Sequence, residues 1–204
     1  MAITRQDIHE YSKLIFSEDS LIVNKSEELL KKLHNIAESI HKEPAKSHGR
    51  TFEQIYEDNK NIVIEDALVQ KNNGFIHNPL EWDYKNPHSH AYDIIFEPKD
   101  VNFELKRWQH DTRKEAKMNE WFSYPEHAIQ NFYKHIGIID YLVSARMIEH
   151  EDCFEIGFHL IAHAKSFSKF AQKSIHDPRN IYYNHHSAEP LDLCVFNKDV
   201  KYRS

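Results

Sequence analysis

The segment AYDIIFEPKDVNFELKRW, residues 91–108, sets three charges, Asp93, Glu104 and Lys106, inside what is otherwise the pattern of two apolar strands. Its EPKD centre carries turn residues, so the segment reads as a hairpin. In the second arm Val101, Phe103 and Leu105 alternate with Asn102, Glu104 and Lys106, which puts both charges on one face. Asp93, in the first arm, is flanked by Tyr92, Ile94, Ile95 and Phe96 and is the one charge in an apolar run. A carboxylate in such surroundings is costly unless it is paired or binds a metal. Glu97, Lys99 and Asp100 belong to the turn.

Toward the N-terminus the pattern is helical. Thr51 with Gln54 forms a capping pair that opens a helix running to about Gln70, and Gly74 is placed to end it in the left-handed conformation. The second half of that helix, NIVIEDALVQ, also suits a strand. Thr4 with Asp7 caps a first helix, and Ser26 precedes Leu29, Leu30, Leu33, Ile36, Ala37 and Ile40 at helical spacing. These two helices form an N-terminal hairpin over residues 1–45, and HKEPAKSHGR, with Pro44 and Gly49, is a hinge to the main body.

Toward the C-terminus, Thr112 with Glu115 opens a polar helix. Ser123 with Glu126 opens another, which aligns Ile129, Phe132, Tyr133 and Ile136 before Gly137. IIDYLVSARMI suits a central strand buried on both sides. CFEIGFHLIAHA alternates, with Glu155, His159 and His163 on its polar face. LDLCVF, near the end, reads as an edge strand or a docking tail. The order of elements predicts an α/β fold: a central mixed sheet flanked by helices in residues 51–165, preceded by the helical hairpin and followed by an extension, 166–204, packed on the core.

Composition narrows the chemistry. With 204 residues, 40% of them hydrophobic, the chain can bury a sizeable core, and no apolar run approaches the roughly 18 to 20 residues that span a bilayer. MAITRQDIHEYSK lacks the apolar stretch of a signal peptide, so a soluble, cytoplasmic protein without a membrane partner is expected. Cys153 and Cys194 have no metal or redox spacing, and 4 glycines leave no phosphate-binding glycine loop. The 16 histidines include no HExxH and no third ligand beside His88 and His90, His159 and His163, or His185 and His186. A net charge of −6 argues against bulk electrostatic coating of nucleic acid but allows a local basic groove.

Two carboxylates and a lysine on adjacent strands make a chemical unit. Asp93 and Glu104, with the carbonyl of Leu105, suit Mg²⁺, a hard cation that takes a few carboxylates and keeps its waters; Mn²⁺ is an alternative. Lys106 is placed to orient a metal-acidified water or to neutralise charge developing on a phosphate. The competing reading is a hairpin whose Glu104 and Lys106 lie on a solvated face, with Asp93 paired locally.

An acid on a helix, an Asp in a strand and Glu-x-Lys in the next strand, here Glu65, Asp93, Glu104 and Lys106, resemble the PD-(D/E)XK nuclease superfamily over residues 51–165. The resemblance implies the restriction-endonuclease-like fold, with Asp93 and Glu104 as metal ligands, Lys106 as the catalytic lysine and Glu65 as an outer acid acting through water. Asp93 follows Tyr92, not the proline that names the motif. Gln130 and Tyr133 are separated by two residues where exonuclease-like members have three.

Directly after the second strand, Arg107, Trp108, His110, Arg113, Lys114 and Lys117 form a basic stretch with aromatic interleaving, which Trp121 and Phe122 continue. Such residues suit phosphates and exposed bases. The expected function is therefore Mg²⁺-dependent hydrolysis of phosphodiester bonds in DNA, with RNA the other substrate form and a non-catalytic nucleic-acid- or protein-binding module on the same fold as the alternative. The N-terminal hairpin would serve as a recognition element or as a dimerisation arm, which leaves a homodimer open.

Overall fold

Ile8, Tyr11 and Ile15 recur at helical spacing and are all buried, so helix α1 (Arg5–Ile15) lies with one face on the core. The computed structural model describes residues 5–81, 83, 85–107, 121–125, 130, 132–170, 172–173, 180–184, 194–197 and 200–203. Helix α2 (Glu27–His41) begins where Ser26 accepts a hydrogen bond from the N–H of Leu29 at 3.1 Å, and it buries Leu33 and Ala37. The cap expected at Thr4 lies outside the described residues.

The N-terminal region is not a free helical hairpin. Between α1 and α2 the chain forms strand β1 (Leu21–Asn24), which pairs antiparallel with residues 153–156 of the central sheet. Four residues, LIVN, are too short to stand out as a strand against two capped helices, and their pairing partner lies far along the chain. The hinge segment contains a short helix, α3 (Pro44–Ser47), ended by His48 and Gly49 with φ of 49° and 75°.

The predicted third helix is two helices, α4 (Phe52–Asn59) and α5 (Asn61–Lys71), with Lys60 between them. The Thr51–Gln54 capping box is present in full, with Gln54 Oε1 accepting from the Thr51 N–H at 2.9 Å. NIVIEDALVQ is helix, not strand, and it buries Val63, Ile64, Ala67 and Leu68. Gly74 does not take the left-handed conformation: α5 ends on an extended Asn72, whose carbonyl and side chain accept from Phe75 and Gly74 to turn the chain into strand β2 (Phe75–His77).

The hairpin forms as its sequence implies. Strand β3 (Ile94–Phe96) and strand β4 (Val101–Arg107) pair antiparallel, joined by one turn of 3₁₀ helix at Glu97–Lys99 and by Asp100 at φ 53°. Strand β6 (Tyr141–Glu149) pairs parallel with β4 and antiparallel with strand β7 (Cys153–His163). The segment after Arg107 enters a separate small sheet, β5-β9-β8, made of β5 (Trp121–Pro125), β8 (Gln172–Lys173) and β9 (Asn180–Asn184). The helix expected from Ser123 therefore does not start there. WFSYP is aromatic-rich and pairs with NIYYN, so β propensity prevails over the capping pattern. Helical structure is present at residues 130 and 132–134, and Gly137 follows with φ 116°.

The main sheet runs β1-β7-β6-β4-β3-β2, and strand β10 (Cys194–Phe196), from LDLCVF, also pairs with β7. The fold is thus mixed α/β with a mixed central sheet flanked by helices. Phe103, Leu105, Tyr141, Val143, Ala145, Phe154, Ile156 and Phe158 point to the face covered by α1, α2 and α5. Tyr11 of α1 anchors that layer, its ring 5.2 to 5.8 Å from those of Phe96, Phe103 and Tyr141. The opposite face carries Leu142, Leu160 and Ala162, packed with Ala91, Tyr92, Phe132, Ala164 and Phe167. The last two of these lie in helix α6 (Ala164–Phe170).

The polar side of β7 is buried too, which alternation alone does not reveal. Glu155 is 0% exposed, and it accepts hydrogen bonds from Ser20 Oγ at 2.5 Å and the Arg203 N–H at 2.6 Å, with His150 Nε2 at 2.7 Å. Burial alone would raise its pKa, but these donors hold it below the usual carboxylate range.

Candidate active site

Glu104 and Lys106 lie opposite Leu142 and Ser144 in the parallel β4–β6 register, so both charges face the side of the sheet away from α1. Strand β3 stops at Ile94 while β4 runs on to Arg107, which leaves part of β4 without a partner on that edge. Asp93 fills the gap. Its N–H donates to the Phe103 carbonyl at 3.0 Å, and its carboxylate accepts from the Leu105 N–H at 2.7 Å. Leu105 presents its carbonyl to the same edge as its N–H, since both peptide groups of one strand residue point the same way.

The carboxyls of Asp93 and Glu104 are electrostatic neighbours, and Lys106 Nζ donates to Glu104 Oε1. Glu104 is only 4% exposed. Burial, followed by the neighbouring charge of Asp93, pushes its pKa up to about 8. Burial likewise raises Asp93, against the pull of Lys106 and the Leu105 N–H. Burial works to depress Lys106, but the carboxyls of Glu104 and Asp93 outweigh it and hold the ammonium charged.

Glu65 stands on α5 beside this pair, and burial raises its pKa, with the charge of Asp93 adding to the rise. His77, at the end of β2, links it to the next residue: Nδ1 is 3.5 Å from Glu65 and Nε2 is 2.9 Å from Asp66. Hydrogen bonding to Glu65 raises the His77 pKa. Asp66 also pairs with Lys32 at 2.8 Å. The structure therefore brings together all four residues Glu65, Asp93, Glu104 and Lys106, and it adds His77, which a three-residue strand gave no pattern to find. Arg107 points elsewhere: its guanidinium pairs with Glu57 of α4 at 2.8 Å. Trp108, His110, Arg113, Lys114 and Lys117 lie outside the described residues, as do His185 and His186.

The charges fit a hard divalent cation. Asp66 is balanced by Lys32 and His77, and Glu104 by Lys106, but Asp93 has only a peptide N–H and a share of Lys106. Two carboxyls share one ammonium, so buried Glu104 is held toward its protonated form, and a bound cation would take the place of that proton. Among the described residues no three His, Cys, Asp or Glu side chains form a complete cage. The available donors, two carboxylates and the Leu105 carbonyl, are those of a site completed by water.

Comparisons with protein families, with curated proteins and with solved structures return no match. No helix among the described residues is long and apolar enough to cross a membrane.

Proposed function

We propose that this protein is a metal-dependent nuclease that hydrolyses phosphodiester bonds in DNA on a restriction-endonuclease-like sheet. The observation that carries this reading is the grouping of Asp93 with the buried Glu104 and with Lys106 at the open edge of β4 beside Leu105. Solvated hairpin charges do not account for it, because such residues would be exposed and Glu104 is 4% exposed.

Asp93, Glu104 and the Leu105 carbonyl would hold the cation, Mg²⁺ or Mn²⁺. When bound, the cation supplies Lewis-acid stabilisation of the phosphate and an acidified water. Hydrolysis forms a bond from a water oxygen to phosphorus and breaks the bond from phosphorus to the leaving sugar oxygen; the water gives up a proton and the leaving oxygen gains one. Lys106 stays protonated beside two carboxyls, so it acts as a donor and a positive charge and not as a base. It orients the water and offsets negative charge on the phosphate. Glu65 and His77 flank the site, and Glu65 would accept a hydrogen bond from a water held by the cation.

The test is cleavage of supercoiled plasmid and of labelled oligonucleotides with Mg²⁺ or Mn²⁺, alongside Asp93→Asn and Lys106→Ala. Each variant is expected to lose at least about a hundredfold in rate. Wild-type protein that cuts no nucleic acid, or variants that cut as well as wild type, would reject the reading.

A further inference from the structure

Arg146 occupies the same sheet face as the Glu104–Lys106 pair. Lys106 lies opposite Ser144 across β4 and β6, and Arg146 is the next residue of β6 on that side. Strand spacing and rise put the two Cα atoms about 8 Å apart, within reach of one bound strand for side chains this long. Beyond β6, Arg146 faces Gly157.

The surroundings of Arg146 are those of a held cation without its anion. Its guanidinium carbon sits 4.8 Å from the centre of the Tyr202 ring. Its Nε is buried without a hydrogen-bond partner, and no carboxylate among the described residues pairs with it. Arg50 and Arg107 differ, pairing with Asp58 and Glu57, each at 2.8 Å. The mount itself is well built. Tyr202 lies over Gly157, where a side chain would collide with its hydroxyl, and that hydroxyl is 2.5 Å from His159 Nε2. His159 Nδ1 in turn lies 3.1 Å from the Asn197 carbonyl. Contacts from Asn197 and Tyr202 thus fix an aromatic ring under an arginine whose buried Nε has no partner.

Resting on the nuclease reading, we propose that Arg146 is a phosphate-binding residue that holds a DNA phosphate neighbouring the one Lys106 addresses, with Tyr202 as its positioning residue. A guanidinium offers a planar set of donors that matches phosphate oxygens, and stacking on a ring fixes its plane before the ligand arrives. Desolvated donors gain most from an anion, because leaving them unpaired is costly.

The experiment measures binding of a fluorescein-labelled DNA duplex to the full chain, without divalent metal, over a series of KCl concentrations. Arg146→Met is expected to reduce the slope of log affinity against log salt by about 0.9, the contribution of one phosphate, and to weaken binding several-fold. Arg146→Lys restores the slope but not the full affinity, and Lys46→Met, on exposed α3, matches wild type. As a second measurement on the unaltered protein, DNA is expected to shield Arg146 from phenylglyoxal modification, read by mass spectrometry. Wild-type slope in Arg146→Met, or equal modification with and without DNA, overturns the proposal. Wild-type protein that binds no DNA removes the nuclease reading as well, whereas binding insensitive to Arg146 removes this inference alone.

Discussion

The carboxylate of Asp93 takes a 2.7 Å hydrogen bond from the peptide N–H of Leu105 and so stands in for the strand residue that β3 lacks at that position. The same side chain is thus a piece of the sheet and half of a charged pair. Its two duties separate by substitution. Asp93→Asn keeps an acceptor oxygen for Leu105 and is expected to fold normally while losing cleavage. Asp93→Ala leaves a buried N–H unpaired and is expected to cost about 1 to 3 kcal/mol in urea unfolding. Equal stability of the two variants would mean that the hydrogen bond contributes nothing.

Metal affinity is expected to rise with pH. Glu104, pushed up to about 8, carries its proton at neutral pH in the metal-free protein, and that proton must leave before a cation can bind. Titration calorimetry with Mn²⁺ between pH 6 and pH 8 should therefore show affinity increasing by up to about tenfold per pH unit, with proton release, and levelling above pH 8. Glu104→Gln should bind weakly and without that slope. A flat wild-type profile would contradict the proton count.

Acid stability should depend on His159. Burial is the first cause of its pKa falling to about 4, below an ordinary value near 6.5. Between those values the unfolded chain binds a proton that the folded one refuses. Its stabilisation is therefore complete above about pH 6.5 and is lost as pH falls toward 4, by roughly 3 kcal/mol. Chemical denaturation of wild type and His159→Gln across pH 4 to pH 7 tests this, since the variant should lack that part of the slope.

Gly157→Ala should destabilise the protein by about 1 to 3 kcal/mol, because the added carbon meets the Tyr202 hydroxyl and ring and the Val200 side chain. The clash is specific to the C-terminal segment. In a double-mutant cycle with Tyr202→Leu the two costs should fall well short of additive. Additivity would place the strain elsewhere.

The hairpin was legible because its information is local: alternation in VNFELK, an apolar run around Asp93 and a turn at EPKD. From these the convergence of Asp93, Glu104 and Lys106 followed, as did the Thr51–Gln54 cap and the strands at residues 141–149 and 153–163. What was hidden depends on partners distant in the chain. LIVN becomes a strand only because β7 offers it an edge. WFSYP ceases to look like a helix start only once NIYYN lies beside it. The polar side of β7 looked exposed because Ser20, Tyr202 and Arg203, which cover it, lie more than a hundred residues away or at the far end of the chain. Arg146 carried no signal, since an arginine near the end of an apolar run ordinarily marks where a strand reaches water.

The edge of β7 is finished by two segments that lie far apart in the chain. β1 and β10 pair with it, Asp19 bridges to Lys201, and Glu155 takes hydrogen bonds from Ser20 and Arg203 at once. The consequence is one of timing during synthesis. Strands β4, β6 and β7 all precede Tyr202 in the chain and can pair during translation before it has emerged. Arg146 gains its aromatic support only when Tyr202 arrives, so a chain cut before that residue would carry the carboxylate pair with the guanidinium unsupported.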